Sequence, residues 1–404
     1  MAIAGFRHTG NFVADARPQN WREKILRSYP NGKMPLTGLT SMMKSRTVDD
    51  PQYNWWEKQM ETQRFVVSAA ATNVATTLTL QAKALTLKIG DLLYSEHTGE
   101  IMRVTADPTI DTSVTVQRAF SDTTGTALDP AAAGVNPHLS KIGSAYEEGS
   151  TSPKGIAFDP NKRWNYTQIF RDTLEATRTA KVTRLRHDDA IVEARRECLE
   201  LHGISMERAF WFGKRWEGTI NGKPARTTGG IVNFIAPENI KTATPAGMDM
   251  EELEEMFYLM FLRGSDEKIA IGGNRALLTI NRILRKNAQW QIYGNEKEYG
   301  MNVTRVTSPF GHIVFKTHPL FNLMRGGTTG GTPYNGWESA MFVLDAAELQ
   351  YVYITGGDTQ YQQKLQVNDL DGEKSGYLTE CGIEMHHPDH HFLIKGMVAA
   401  ATDD

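Results

Sequence analysis

The densest group of metal-ligating side chains lies near the C-terminus, where residues 386–391 read His-His-Pro-Asp-His-His. Imidazole and carboxylate groups are good zinc ligands, so this segment is the first candidate for a metal site. However, consecutive side chains of a strand point to opposite faces, and Pro388 with Asp389 is typical of a turn. No regular helix presents a histidine pair at i and i+4, as the helix of a zinc protease does. The spacing therefore predicts the tip of a hairpin between two strands, and no metal.

Glycine-rich segments and paired acids are the other candidates for chemistry. None of the glycine segments ends in Gly-Lys-Ser/Thr or has dinucleotide-binding spacing; they are residues 227–231, 272–274 and 326–331. No serine lies between the glycines of a nucleophile elbow. Adjacent acids do not face one another on a helix. We interpret Asp188-Asp189 as a helix cap, and Glu147-Glu148 as solvated or as pairing with a partner. The sequence thus predicts no catalytic residue, no cofactor and no enzymatic activity.

Composition narrows the remaining classes of function. The 404 residues include 44 basic and 47 acidic side chains, which predicts two or three domains and a formal net charge of -3. A dedicated nucleic-acid reader usually carries a basic excess, so we expect any DNA contact to be weak and non-specific. The two cysteines, Cys198 and Cys381, are expected to be reduced and buried. The N-terminus does not resemble a secretion signal, and no window approaches the ~18 apolar residues of a membrane span.

One long helix is the strongest structural signal. It is predicted to start at a cap formed by Asp188 or Asp189 and to end at Gly213 in a left-handed conformation. At 1.5 Å per residue such a helix is roughly 35–40 Å long, which suits a strut across a flat subunit. Apolar or small residues recur at steps of three and four and predict one narrow buried stripe; they are Ile191, Ala194, Cys198, Leu201, Ser205, Ala209 and Phe212.

The flanking regions differ in character. Residues 1–64 contain many turn formers together with Trp21, Trp55 and Trp56, which indicates an extended arm that buries aromatic side chains against a neighbouring subunit. The alternative is a disordered start followed by one short helix. Residues 65–139 alternate Thr- and Val-rich strands with turns and predict a small antiparallel β module. After the long helix, Asp249 is predicted to cap a helix whose apolar face holds Leu253, Met256, Phe257 and Met260. A further helix, a hairpin and several strands follow without a regular βαβ rhythm. This mixture predicts the α+β class.

The order of these parts resembles the major capsid (head) protein of tailed bacteriophages, with the Hong Kong ninety-seven-type fold. The residues that carry the resemblance are the extended segment 166–170, the long helix ending in Ala209-Phe-Trp-Phe-Gly213, and the closure at 228–231. The resemblance implies an N-terminal arm at 1–64 and an extended loop with the inserted β module at 65–160. It also implies a peripheral domain with the spine helix at 161–240 and 346–404, and an axial domain at 241–345.

The resemblance also implies partners. Copies of the chain would form pentamers and hexamers of an icosahedral shell that encloses double-stranded DNA, with a portal and a scaffold or decoration protein as further partners. The chain would be found in the virion and, during assembly, in the host cytoplasm, without membrane contact. Near-neutral charge avoids self-repulsion between many copies. The residues expected to contact neighbouring subunits are Trp21, Trp55, Trp56, Arg103, Arg118, Glu147 and Glu148.

Gly203 lies in the interior of the predicted spine helix, where glycine costs about 1 kcal/mol relative to alanine. One hypothesis is that Gly203 is a hinge that lets the helix bend in the immature shell and straighten on expansion. The other hypothesis is that a second backbone packs closely against Gly203.

Two other functions of the protein also remain open at this point: another virion component, such as a tail or decoration protein, and a carbohydrate-active hydrolase.

Overall fold

The structure is a computed structural model that describes residues 43–132, 134, 136–183, 190–243, 248–287, 292–298, 301–329 and 332–398. Trp21 and the proposed caps Asp188 and Asp189 lie outside these described residues. The chain divides into two compact units. The larger unit contains the described residues up to Trp55 and from Lys162 onward, and the smaller unit is Trp56–Asn161.

The strands of the described residues follow in chain order. They are β1 (Lys44–Val48), β2 (Gln52–Glu57), β3 (Arg64–Val66), β4 (Thr77–Thr79), β5 (Asp91–Ser95), β6 (Ile101–Val104), β7 (Ser113–Phe120), β8 (His138–Ser144), β9 (Asn161–Tyr166), β10 (Gln168–Thr177), β11 (Trp216–Ile220), β12 (Lys223–Thr227), β13 (Ile240–Thr242), β14 (Glu267–Gly272), β15 (Ile292–Glu298), β16 (Met301–Ser308), β17 (Gly311–Thr317), β18 (Gly327–Thr329), β19 (Thr332–Tyr334), β20 (Met341–Leu344), β21 (Leu349–Ile354), β22 (Gln360–Gln362), β23 (Gly372–Met385) and β24 (Phe392–Lys395).

The helices are interspersed with these strands, so the predicted α+β class is confirmed. They are α1 (Arg178–Val182), α2 (Ala190–Phe212), α3 (Ile231–Phe234), α4 (Met250–Phe261), α5 (Asn274–Asn287) and α6 (Pro319–Leu323). Short 3-10 turns include Ala346–Glu348 and Pro388–His390. Among the described residues, none of the helices combines the length and the apolar character that a membrane crossing requires.

Two sheets organise the larger unit. The first has the order β1-β21-β23-β10, with β22 also paired to β23, and α2 packs against β10 and β23. The second has the order β13-β24-β20-β14-β17-β16-β15. The chain links the two sheets at two short crossings, from β20 to β21 and from β23 to β24, in addition to the long passage from β10 to β13 that includes α2. The strands β13 and β24 lie in the second sheet, although the predicted boundaries assign them to the peripheral domain with α2.

The second crossing corrects the prediction for residues 386–391. A hairpin tip would join two paired strands, but β23 and β24 belong to different sheets. The 3-10 turn Pro388–His390 carries the chain from one sheet to the other, and His387 adopts a positive φ of 44° at its start. The proline-containing turn was correctly predicted, whereas the pairing of the flanking strands was wrong. Local turn chemistry does not determine which strands pair.

Two hydrophobic clusters fill the larger unit. The first joins the end of α2 to both sheets through Phe210, Trp211, Phe342 and Ile383. The second cluster packs α4 and α5 on the second sheet. The residues of α4 that it buries are Leu253, Met256, Phe257 and Met260. This spacing is the predicted apolar face of a helix. The predicted cap is confirmed as well, because the Asp249 carboxylate accepts a hydrogen bond from the Glu252 amide at 2.8 Å.

The buried stripe of α2 differs from the predicted one. Cys198 is buried as expected, but Leu201 is 61% exposed and Ser205 is also exposed. The buried face instead holds polar and aromatic side chains at the same three- and four-residue steps; its members are Cys198, His202, Gly203, Glu207, Phe210 and Trp211. The prediction was wrong because it assumed that buried positions are apolar. His202 and Glu207 are buried together with polar partners, which the local pattern does not reveal.

The smaller unit contains the predicted antiparallel β module. Its sheet has the order β3-β8-β5-β6-β7-β4, and a separate cluster of buried residues, including Phe65, Leu93 and Met102, forms its core. Within this module Arg118 Nε and Nη2 donate to the Glu100 carboxylate at 2.8 and 2.6 Å. The two side chains are only 5% and 0% exposed. Arg118, predicted to contact a neighbouring subunit, is therefore engaged within its own module.

Glu100 also accepts hydrogen bonds from the Ala119 and Thr126 amides at 2.9 and 3.2 Å. Burial would raise the pKa of this carboxyl, but the hydrogen bonds from Arg118 and the two amides outweigh burial and lower the pKa. The carboxylate is thus charged and fully partnered, and it connects β7 to the turn that follows it.

Substituting Glu100→Gln is expected to destabilise the β module by about 3–5 kcal/mol, because it leaves a buried guanidinium without its counter-charge. Thermal unfolding of the full-length chain, followed by circular dichroism, measures the effect. The matched control is Glu61→Gln, whose partner Lys83 is 54% exposed. Exposed pairs contribute little, so this control should unfold close to the parent. Equal midpoints for the two variants would contradict a structural role for the buried pair.

Candidate functional site at the end of the long helix

The end of α2 packs backbone against backbone on the segment 228–231. The Gly230 amide donates to the Gly213 carbonyl at 2.8 Å, and the Gly213 amide donates to the Ala209 carbonyl at 2.8 Å. A Cβ atom at Gly230 would lie 2.7 Å from Ala209 O, and one at Gly213 would lie 2.5 Å from Thr228 O. Both distances are too short for carbon and oxygen atoms that are not bonded. Glycine is therefore required at both positions.

Gly213 follows the last residue of α2, as predicted, but the predicted left-handed conformation is wrong. Gly213 is not among the residues with positive φ. Glycine is needed here because the segment 228–231 approaches the backbone, and the absence of a side chain permits that approach. The motif that carried the family resemblance thus has a steric basis.

Asn165 fixes the same segment from the side. Its Nδ2 donates to Thr228 Oγ1 and Gly229 O at 3.1 Å each and to Ile383 O at 2.8 Å. Its Oδ1 accepts from the Gly229 amide at 2.8 Å. The side chain is completely buried, so each lost hydrogen bond would leave an unpartnered polar group. One amide therefore joins β9, the closure 228–231 and β23.

The strand β2 packs on the junction that Asn165 forms between β9, the segment 228–231 and β23. The Tyr53 hydroxyl donates to Ile383 O at 2.6 Å, and the Trp55 ring stacks on Tyr53 with 6.1 Å between ring centroids. Trp55 is only 6% exposed, so this predicted intersubunit residue belongs to the core of its own chain. Trp56 is 66% exposed. Adjacent residues of a strand face opposite sides, which explains why the two tryptophans differ.

The helix end is anchored by aromatic rings and by buried histidine–carboxylate contacts. The Trp211 ring lies 4.6 Å from Phe342 and 5.0 Å from Phe321, measured between centroids. His318 Nε2 lies 2.8 Å from Glu207 Oε1, and both side chains are nearly fully buried. One turn and a half earlier, His202 contacts Asp172 Oδ2 at 2.7 Å and Thr379 Oγ1 at 2.8 Å.

Sequence reasoning missed these buried polar contacts. Glu207 and His318 are 111 residues apart, so no local spacing joins them. The one available signal is a glutamate at a core-facing position of the helix, which requires a partner because buried charges are rarely unpaired.

The other predicted contact residues lie on the smaller unit. Arg103 Nε donates to the Ala145 carbonyl at 3.4 Å and is partly exposed. Glu147 and Glu148 are exposed in the segment after β8. The structure therefore leaves these two carboxylates accessible and does not join them to Trp56 or Arg103 in one cluster.

Gly203 is buried inside a helix that is continuous from Ala190 to Phe212. This position is compatible with both hypotheses, the hinge and the close approach of another backbone.

The chain was compared with known protein families, sequences and solved structures. A family model described as SU10 major capsid protein matches residues 6–398. The major capsid protein of Pseudomonas phage PaMx41 is 31% identical over 422 residues, which covers 97% of each chain. Among solved structures, one from Mycobacterium phage Bobi is similar with a TM-score of 0.45 and 6% identity, covering 95% of this chain and 96% of that chain. The capsid of a native GTA particle is similar with a TM-score of 0.43 and 8% identity, covering 97% of each chain.

Substituting Gly230→Ala is expected to destabilise the larger unit by about 3 kcal/mol, since the added methyl group overlaps the backbone of the helix end. The expected result is a lower thermal midpoint and a smaller soluble fraction of the full-length chain. Gly155→Ala is the control, because a Cβ at Gly155 would have no heavy atom within 4 Å. If both variants unfold at the parental temperature, the close approach at the helix end has no energetic importance.

Proposed function

Because the chain belongs to the SU10 major capsid protein family, we propose how its parts serve the icosahedral head shell that it forms as a phage major capsid protein. The family match confirms the predicted capsid function and its location in the virion. It favours this function over the alternatives of a tail or decoration protein and a carbohydrate-active hydrolase. The family is one of structural proteins, and the absence of catalytic activity in this chain stays a prediction.

We assign the domains as the resemblance implies. Residues 161–240 with 346–404 form the peripheral domain, and residues 241–345 form the axial domain. The peripheral assignment is supported by α2, which lies on the β10–β23 ladder and ends in a junction that glycine and Asn165 hold tightly. The axial assignment is supported by α4 and α5, which share the second hydrophobic cluster, although Phe392, Ile394 and Met397 of the range 346–404 also belong to it. Residues 65–160 form the extended loop with its inserted module, and residues 1–64 form the arm.

The contacts between copies are proposed to involve exposed residues that no fold-stabilising role explains. Trp56 supports this proposal most directly, since its side chain is 66% exposed on a strand whose other face is buried. Tryptophan is strongly enriched among residues that dominate interface energies. The exposed carboxylates of Glu147 and Glu148 are proposed to form a separate, charged contact with a neighbouring copy. Trp21 is proposed to act in the arm in the same way as Trp56.

Shell geometry explains why such contacts must be extensive. Head-to-tail contacts around rings have to close into pentamers and hexamers rather than filaments. Each subunit holds several neighbours at once, so the total buried area should exceed the ~1,600 Å² of a standard interface. Further proposed partners are a portal, a scaffold or decoration protein, and packaged DNA. DNA contacts would be directed at the phosphate backbone and weakened by salt. Assembly is proposed to take place in the host cytoplasm.

Substituting Trp56→Ser should reduce the yield of shells several-fold at fixed protein concentration while leaving the subunit folded, because the removed ring contributes mainly to contacts between copies. Sedimentation and negative-stain microscopy measure the yield, and circular dichroism checks the fold. Trp216→Ser is the control, since Trp216 is also exposed, at 46%, but lies on the β11–β12 hairpin and is not one of the proposed contact residues. An unchanged shell yield for Trp56→Ser would contradict its assignment as a contact residue.

The hinge hypothesis for Gly203 predicts that Gly203→Ala slows or prevents shell expansion, because alanine stiffens the helix by about 1 kcal/mol. The diameter of the shells, measured by electron microscopy before and after expansion is triggered, reports the effect. If Gly203 instead permits close backbone packing, the substitution should lower the stability of unassembled subunits. Gly155→Ala serves again as the neutral control. Expansion with unchanged rate and yield would rule out the hinge.

A further inference from the structure

The two crossings between the sheets of the larger unit bring three metal-ligating side chains together. Asp345 and Glu348 lie in the first crossing, between β20 and β21, and His390 lies in the second, between β23 and β24. One ligand atom of each residue lies within 4.8 Å of the others. Asp345 is buried, and Glu348 and His390 are partly buried.

The separation of the ligand atoms suits a shared ion better than a direct contact. His390 Nδ1 and Glu348 Oε1 are 3.6 Å apart, which is beyond hydrogen-bonding distance. Zinc–nitrogen and zinc–oxygen bonds are about 2.0–2.2 Å long, so two ligands of one tetrahedral ion lie about 3.3–3.5 Å apart.

The missing hydrogen bond at His390 Nδ1 gives independent support for an ion at this position. Its Nδ1 atom is buried and has no hydrogen-bond partner among the described residues. A proton on a neutral ring at Nδ1 would point to Glu348 Oε1 at 3.6 Å, too far for a hydrogen bond, and a lone pair there would face that carboxylate. Both arrangements leave a buried polar atom unsatisfied, which costs free energy. A cation between the ring and the carboxylates would accept the Nδ1 lone pair and so satisfy this atom.

The ligands are also held in place by the surrounding backbone. The Asp345 carboxylate accepts from the Ser265 amide at 2.9 Å and from the Ala347 amide at 3.3 Å. The buried Lys268 ammonium donates to the His390 carbonyl at 2.8 Å and thereby positions the second crossing. Such outer contacts orient metal ligands. With a neutral imidazole, two carboxylates and one ammonium leave a net charge of −1 in this set, which a bound cation would offset.

We propose that Asp345, Glu348 and His390 bind one divalent transition-metal ion, with zinc as the best match and solvent completing its coordination. Imidazole together with carboxylate favours zinc, cobalt or nickel over magnesium and calcium. Bound there, the ion ties the two crossings to each other and fixes the connection between the two sheets of the subunit. Its function would be structural, and this inference goes beyond the assignment of contacts in the shell.

The test uses assembled particles of the full-length chain. The particles are treated with a chelator, incubated with zinc chloride and freed of unbound metal, and the retained zinc is measured by mass spectrometry. The parent is expected to retain close to one zinc per chain, and Glu348→Gln and His390→Gln at least ten-fold less. His312→Gln is the control, because His312 belongs to the β16–β17 hairpin and to neither crossing, and its Nδ1 contacts the Thr307 hydroxyl at 3.0 Å. It should retain zinc like the parent.

Two further measurements keep the inference testable if a variant fails to fold. Zinc should raise the unfolding midpoint of the parent and of His312→Gln, because a ligand that binds only the folded state stabilises it. Cobalt bound to the parent should show the visible absorption of a low-coordinate site, whereas calcium should displace neither metal. Parent particles that retain less than about a tenth of a zinc per chain would overturn the inference, and so would equal retention by all variants. Particles that assemble without zinc would leave the shell function untouched.

Discussion

The contact of two backbones at the end of the long helix is the constraint on which the larger unit depends. Gly213 and Gly230 meet at hydrogen-bonding distance, and a methyl group on either residue would overlap a carbonyl oxygen. Because the helix end is fixed there, Phe210 and Trp211 are buried between the two sheets. Asn165 then joins the closure to strands that come from distant parts of the chain. A long strut is useful in a shell only if one of its ends is rigidly attached, and this junction supplies that attachment.

Polar groups complete the anchoring of the helix. The face that α2 turns to the sheet carries His202 and Glu207 among its apolar side chains, and each finds a partner from another element. Buried polar contacts of this kind contribute modest net stability, but leaving one partner alone is costly. They therefore favour one register of the helix on the sheet over neighbouring registers. A capsid subunit has to present its edges in a reproducible arrangement, and a unique register serves that requirement.

The β module has its own hydrophobic core and its own buried ion pair. Such a module can be inserted in an extended loop without altering the rest of the fold. The exposed groups that remain outside these cores, including Trp56 and the carboxylates of Glu147 and Glu148, are available to neighbouring copies. We propose that copies of the chain bury these groups against one another in the shell.

The sequence by itself determined the elements whose signals are local. The apolar period and the Asp249 cap predicted α4, the turn residues predicted the strands of the β module, and the glycines marked the closure at 228–231. The family resemblance followed from the order of these parts. Only the tertiary structure decided the buried face of α2, the partners of Arg118 and Trp55, and the separation of β23 and β24 into different sheets. Those features depend on residues far apart in the chain, such as Glu207 with His318 or Asp345 with His390, and local spacing carries no information about which distant side chains will meet.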